Sequence, residues 1–530
     1  MNIEVSLKNS SRINTFSDEG YELNYIGNVW EKELLSSLHT KDLEFKDAVG
    51  VIKKITGFFS LVYQNENQLI ASVDHIRSNP VFYGQTDTTF YLSDCAEWVR
   101  GKVNDLNMDE EAKVEFQLAG YVTGGNTLYK NVKQLKAGEC LAFIDGELVL
   151  NRYYRFLHTE PVQYNEQELL LSLDKVAKKS IQRLIKYANG RQIVIPLSGG
   201  YDSRLIAALL KEAGYENILT FTYGVKGNKE AEYSKKVAGA LGLEWMFIEY
   251  TEELWNNAWH TEERKAYQVF GSGWSSIPHV QDWLAVKSMR EQSIVRKDCI
   301  LVPGHCCVTE LLPKTVFEAQ RKKRLMPAQA LTAALHETHF SLIINANSNK
   351  LFQDKLIPRL APEYPLNSTL SPKEFVRQFI LYGWQERQSK FTGNSVRVYE
   401  FFEYDWWLPL WDMEFVKFWQ SIPLELMESR EWYKKYVQDK YLSNSNGDMS
   451  NDLGNASETG LLRRVANLKI IESLKLKGLL RKVYKTLFKP KSHLGTEGRY
   501  DIKESQQLTQ QGYSSNGQVA YFFLQENSDV

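Results

Sequence analysis

Residues 193–205 read IVIPLSGGYDSRL. A short β-branched run leads directly into two glycines, and a helical pattern begins with Asp202 and Ser203 in its first turn. Gly199 and Gly200 permit positive φ and close backbone approach, so the amides that follow Ser198 and the positive end of the helix can converge on a pyrophosphate. A plain strand-to-helix turn would use the same residue types, with Asp202 and Ser203 complementing the helix dipole. The full S-x-G-x-D-S pattern between strand and helix favours the anion site. The loop holds no lysine. A Mg²⁺ ion bridging the phosphate oxygens is therefore expected to carry the countercharge, with Asp202 as its natural carboxylate.

Downstream of the loop the pattern predicts a helix over 202–213 closed by Gly214, a strand over 218–223, a helix over 230–241 closed by Gly242, and a strand over 245–248. Strands alternating with helices imply a doubly wound parallel sheet that binds its ligand at the carboxyl ends of the strands. Upstream, residues 166–188 place Leu169, Leu173, Val176, Ser180 and Leu184 at helical spacing. Before that, 57–63, 68–73, 81–83 and 90–92 are short β-branched or aromatic runs separated by turn residues. The expected fold class is α/β: an N-terminal α+β sandwich over 1–157, a parallel-sheet domain over 165–440 that becomes mostly helical, and a final region over 441–530. Residues past Leu254 read as helical apart from an apolar run at 299–303. Residues 442–459 read as a polar loop, and 461–491 as a basic amphipathic helix with ten Lys or Arg against one Glu.

At 530 residues and 43% hydrophobic content the chain can bury more than one core. A net charge of −1 argues against nucleic acid as a partner. The start MNIEVSLKNS lacks a secretory pattern, and no run of about 18 apolar residues occurs, so a cytoplasmic location is expected. Five cysteines, odd in number and without a CxxC pair, point to reduced thiols.

The S-G-G-x-D-S loop resembles the signature of the ATP pyrophosphatases, and FTYGVKGNKEAEYSKKVAGALGLEW at 221–245 is similar to the asparagine synthetases within that group. The resemblance implies ATP and Mg²⁺ as ligands, with Ser198, Gly199, Gly200, Asp202 and Ser203 around the phosphates. It also implies that Leu197 and Tyr223 touch the adenosine. TGFFSLVYQNENQLIASVDHIRSNPVFYG at 56–84 is similar to the glutaminase domain of the same family, and GGNTLYKNVKQLKAGE at 124–139 extends the match. That glutaminase needs an N-terminal cysteine whose own amine is the base. Here residue 2 is Asn2 and the first cysteine is Cys95, so the domain is expected to be a relic without glutaminase activity.

The family's S-G-E-G-x-D-E loop corresponds to LVPGHCCVTELLP at 301–313. Gly304 is retained, His305 stands where a Glu positions the reacting carboxylate, and Val308 stands where some relatives have Asp. His305 is read either as a catalytic group, positioning an anion or acting as acid or base near neutral pH, or as a hydrogen-bonded structural residue. Vicinal Cys306 and Cys307 are read as neither redox nor metal ligands. Within 384–412, Pro409 and Asp412 align with the family, while Asp405 replaces Glu and Trp407 replaces Arg. The tryptophan cluster there reads as packing. Arg387, Lys390, Asn394 and Arg397 fall at helical spacing, as a face toward a bound anion or as a solvated face. The family's adenylation-assisting lysine is not placed. The implied function is an ATP-dependent amidoligase that activates a small-molecule carboxylate, aspartate or a sugar uronic acid, as an acyl-adenylate for ammonia or another amine. The alternative is an inactive scaffold. The remaining partner expectations are a homodimer and a weak, salt-sensitive peripheral membrane contact of 461–491, whose leucines are expected to dock on their own domain.

Overall fold

The computed structural model describes residues 1–8, 12–308, 312–444, 494 and 499–528. The basic stretch 461–491 and the loop residues 445–459 lie outside the described residues. Strands β1 (Asn2–Ser6), β2 (Ile13–Asp18), β3 (Tyr21–Val29), β4 (Gly57–Asn65), β5 (Gln68–Val73), β6 (Phe82–Gln85), β7 (Thr89–Ser93), β8 (Lys133–Gln134), β9 (Glu139–Ile144) and β10 (Glu147–Arg152) form two sheets. One runs β1-β7-β6-β8 and the other β10-β9-β5-β4-β3-β2.

Alternation along the strands explains why two sheets stack. Leu69, Ala71 and Val73 of β5 and Leu141 and Phe143 of β9 point into the space between the sheets, where they meet Phe90 and Leu92 of β7. The intervening Ile70, Cys140 and Ala142 face the other way, onto helix α1 (Phe45–Ile52), which contributes Ala48, Val49 and Ile52. Helix α2 (Ala96–Val103) covers the four-stranded sheet, and α3 (Glu110–Ala119) follows it. The expected sandwich is present, and the strands over 2–29 belong to it.

Helix α4 (Glu166–Ala188) starts where the Asn165 side chain accepts from the amides of Gln167 and Glu168, and it ends at Asn189 in the left-handed conformation. Beyond it, β11 (Ile193–Pro196), α5 (Tyr201–Glu212), β12 (Ile218–Gly224), α6 (Lys229–Leu241) and β13 (Glu244–Glu249) follow the predicted alternation within a residue or two. The strands β14 (Ile300–Leu301) and β15 (Asp405–Trp406) complete a parallel sheet of order β13-β12-β11-β14-β15. The chain leaves β11 toward β12 and β13, then returns to β14 on the opposite side. The sheet therefore reverses direction between β11 and β14, and the loops after these two strands open onto the same crevice.

The remainder is helical, as expected, with two differences. The helix Glu431–Asn444 runs through 442–444, which read as loop in the sequence. The helix Ser515–Glu526 docks back onto the core: Phe523 stacks on Phe116 of α3 at 5.4 Å and Glu526 pairs with buried Arg264. Among the described residues no helix is long and apolar enough to cross a membrane.

The segment carrying Arg387, Lys390, Asn394 and Arg397 is neither a solvated face nor an anion face. It is a π-helix over Gly383–Thr392 followed by a 3₁₀ turn over Gly393–Val396, so α-helical spacing does not describe it. Lys390 is fully buried and donates to Glu386 Oε2 at 2.6 Å, Val122 O at 2.9 Å and Gly124 O at 2.6 Å. Asn394 donates to Gly271 O, and Arg397 donates to Ser78 O at 2.6 Å and Glu400 Oε1 at 2.8 Å. Lys390 and Arg397 thus tie the helical region to the N-terminal sandwich.

Candidate functional site

The loop after β11 is held by its own side chains. The Ser198 hydroxyl accepts from the Gly200 amide at 3.1 Å, and the Ser198 amide donates to Ser203 Oγ at 3.3 Å. Arg204, buried on α5, donates to Gly199 O at 3.2 Å while its guanidinium lies against the rings of Tyr201 and Tyr441 at 5.3 and 5.2 Å. Neither Gly199 nor Gly200 takes a positive φ, contrary to expectation; Gly200 is extended at φ −75°. What Gly200 supplies is room, because a Cβ there would stand 3.0 Å from Ser198 Oγ. Leu197 is buried, with its amide donating to Phe221 O at 2.8 Å and its carbonyl accepting from Thr222 Oγ1 at 2.6 Å. Tyr223 lies at the carboxyl end of β12, half-buried and stacked on Tyr250 at 5.2 Å. Burial, and then the nearby Asp282 carboxylate, push its hydroxyl well above the usual tyrosine range.

Gly304 carries the loop after β14 onto the first loop. A Cβ on Gly304 would meet the Ser203 amide nitrogen at 2.7 Å, so only glycine allows this approach. The next residue, His305, lies 3.2 Å from Ser395 Oγ through Nε2. Ser395 donates its own proton to Thr392 O at 2.7 Å, so the imidazole N–H is the donor to Ser395. Burial, together with the neighbouring His279 ring, pushes His305 down to about 3. It is a neutral hydrogen-bonding group at pH 7, and an acid–base role near neutrality is not what this environment gives.

His279 and Asp282 stand behind it, 3.2 Å apart, with the Tyr399 hydroxyl donating to the other Asp282 oxygen at 2.9 Å. Burial raises the Cys306 thiol well above the usual range, and its sulfur accepts from the Val308 amide at 3.3 Å. Val308 is buried and lines a cavity of about 30 Å³ with Cys307, Trp384 and Trp411. Trp407, where the resemblance expected Arg, packs on Tyr187 at 4.3 Å and on Phe58 at 4.9 Å, and Asp405 is taken up by Tyr187 and Arg191.

Two residues that the sequence did not single out reach Asp202 of the 198–203 loop from 228 and 231 positions away. Arg430 and the Tyr433 hydroxyl both donate to Asp202 Oδ1, at 3.2 and 2.7 Å. Both bonds fall on the same carboxylate oxygen. One carboxylate suits a magnesium ion that arrives on phosphates and keeps waters, and among the described residues no group of three or more His, Cys, Asp or Glu could form an all-protein cage. The donor set therefore fits Mg²⁺ carried by a nucleotide.

The asparagine synthase family model matches residues 187–269, and a glutamine amidotransferase domain model matches 45–154. The chain is 24% identical over 284 residues to the glutamine-hydrolyzing asparagine synthetase 1 of Bacillus subtilis (strain 168), covering 49% of this chain and 44% of that one. Over these segments the chain is similar to the asparagine synthetases. It spans less than half the length of this curated relative.

Among solved structures the chain is similar to the NH3-dependent NAD synthetase from Campylobacter jejuni (TM-score 0.21, 15% identity, 38% of this chain and 98% of that one). It is also similar to the glutamine phosphoribosylpyrophosphate amidotransferase from B. subtilis (TM-score 0.18, 9% identity, 57% and 65%). Scores this low carry no argument about ligand or mechanism. The synthase match includes Leu197 to Ser203 and Tyr223, whereas Gly304, His305, Arg430 and Tyr433 lie beyond it.

Proposed function

We propose that this asparagine synthetase-like chain is an ATP-dependent amidoligase that joins a carboxylate to ammonia or another amine through an acyl-adenylate. The approach of Gly304 to Ser203 at the sheet reversal carries the reading, because it sets the β14 loop beside the β11 loop at the crevice where a parallel sheet binds its ligand. In this reading the amides of the 198–203 loop and the N-terminus of α5 bind the pyrophosphate portion of ATP, and Leu197 and Tyr223 flank the adenosine. Mg²⁺, when bound with the nucleotide, neutralises the departing pyrophosphate beside Asp202.

The substrate carboxylate enters from the β14 side, near Gly304 and the neutral His305, and attacks the α-phosphorus; pyrophosphate leaves. The amine then attacks the acyl carbon; AMP leaves with the carboxylate-derived oxygen and the electron pair of the broken C–O bond, and the nitrogen releases a proton to water. Catalysis here is positioning and charge stabilisation more than covalent chemistry. His305 in place of Glu, and Trp407 in place of Arg, favour a carboxylate other than aspartate, with a sugar uronic acid as the first alternative. Burial raises the thiols of both cysteines of the N-terminal domain, Cys95 and Cys140, the latter to about 12, which supports a domain without glutaminase activity, so the nitrogen would come as free ammonia or an amine.

ATP–pyrophosphate exchange across a panel of carboxylic acids, aspartate and hexuronic acids included, tests the reading. Exchange that depends on one acid is expected. Exchange with none, in a folded protein that also fails to bind Mg·ATP, favours a scaffold that only retains the fold.

A further inference from the structure

Asp202 is not an isolated carboxylate: an arginine from a distant turn already rests on it. That turn, Leu424–Arg430, ends irregularly, with Ser429 at φ 56° and Arg430 at φ 58°. Two successive non-glycine residues in the left-handed region are held there against their own preference, a pattern that persists where surrounding structure needs a side chain in one place. Here the effect is to bring the guanidinium to the mouth of the phosphate loop. The anchoring is firm on the far side, where the helix Glu431–Asn444 packs on α5 and buries Tyr433, Tyr436, Val437 and Tyr441.

We propose that Arg430 is a triphosphate-binding arm, which moves from Asp202 to the β,γ-phosphate oxygens when Mg·ATP enters and leaves the carboxylate to the cation. The proposal rests on the ATP reading above and adds to it the residue that binds the phosphates. Three observations support the exchange. The Arg430–Asp202 pair is open, with side chains 26% and 25% exposed, so water and ligand reach both partners. Arg430 Nε is buried with no hydrogen-bond partner, so the planar guanidinium keeps a donor unused in the present arrangement. The Tyr433 hydroxyl holds Asp202 Oδ1 independently at 2.7 Å, so the carboxylate stays in position after the arginine leaves.

The other arginine at the loop, Arg204, is committed to Gly199 O and to two aromatic rings inside the fold. A loop without lysine thus obtains a mobile positive group from 228 residues downstream. An arginine suits the task because its fork matches two phosphate oxygens at once.

Calorimetric titration of the full chain with Mg·ATP and with AMP, for wild type, Arg430→Gln and Arg430→Lys, tests this. The Gln variant is expected to bind Mg·ATP at least about ten-fold more weakly, as for loss of a charge-assisted bond, with AMP affinity changed less than about two-fold. The Lys variant should recover part of the loss. Wild-type affinity for Mg·ATP in a folded Gln variant, or an equal loss for ATP and AMP, overturns the arm while leaving the ATP reading intact. A wild-type chain that binds AMP and Mg·ATP at the same strength also overturns it, and one that binds neither removes the ATP reading itself. Should the Gln variant unfold, the Lys variant decides: it keeps charge and reach but not the fork, so undiminished Mg·ATP binding there overturns the bidentate contact.

Discussion

The loop after β11 and the loop after β14 meet at one sheet reversal but are made of different chemistry. The first consists of hydroxyls, the amides bonded to them and a carboxylate bridged to a half-buried arginine. The second carries a neutral imidazole, a raised thiol and buried Val308, and shares its cavity with Gly383, Trp384 and Gln388 of the π-helix. The contrast suits the two tasks of the proposed reaction. A nucleotide site needs labile, solvated charges that a ligand can displace, and the β11 side has them. A site that selects among carboxylic acids needs a fixed shape with hydrogen-bond donors, and the β14 side has that.

The largest expected effect is on the π-helix beside the β14 loop, where its buried Lys390 ties it to the N-terminal sandwich. Lys390→Met would leave Glu386 buried without its cation, and the carbonyls of Val122 and Gly124 without a donor. Breaking such a pair costs about 3–5 kcal/mol. A urea denaturation midpoint well below wild type is expected, with the N-terminal sandwich loosened from the helical region; an unchanged midpoint would show that the network is dispensable.

Next in size is Asp202→Asn on the β11 side. Loss of a positioned charge in a reacting site lowers turnover about 10²–10³-fold, whereas the exposed pair with Arg430 contributes at most about 1 kcal/mol to stability. Exchange should collapse while the melting temperature barely moves. Full exchange in this variant would remove Asp202 from the metal site.

The smallest effect is a titration. His305 sits at about 3 in the folded chain against an ordinary 6.5, so the unfolded chain binds the proton more readily. Its contribution to stability is complete above pH 6.5 and is lost as the pH falls from there toward 3. The ring resonances of His305 should stay constant from pH 8 to pH 5; an inflection near 6.5 would restore an acid–base role.

How much of this was legible in the sequence differs between the same two regions. The β11 side could be read because its parts are local: a buried strand, a loop and a helix within 20 residues, with period switching from one element to the next. Helix α4 could be placed because its apolar residues fall at helical spacing, and α6 because Gly242 marks its end. Arg430 could not, since neither glycine nor asparagine marks its left-handed turn and its partner lies 228 residues away. Lys390 and Arg397 were visible as a spacing, but the π-helix beneath them changes the residues per turn, and burial follows from the sandwich packing against it. His305 could be located by the strand before it, whereas its neutrality depends on His279 and on burial, both tertiary facts.

The central claim is that Mg·ATP occupies the crevice shared by the two loops. Hydrogen–deuterium exchange of the full chain, with and without saturating Mg·ATP, tests it most directly. Slowed exchange is expected in residues 198–204 and 302–308 together, with the turn at 428–433 responding as Arg430 changes partner. Protection absent from both loops, or confined to the polar cleft between the sandwich and the helical region around Lys133 and Arg359, would contradict it.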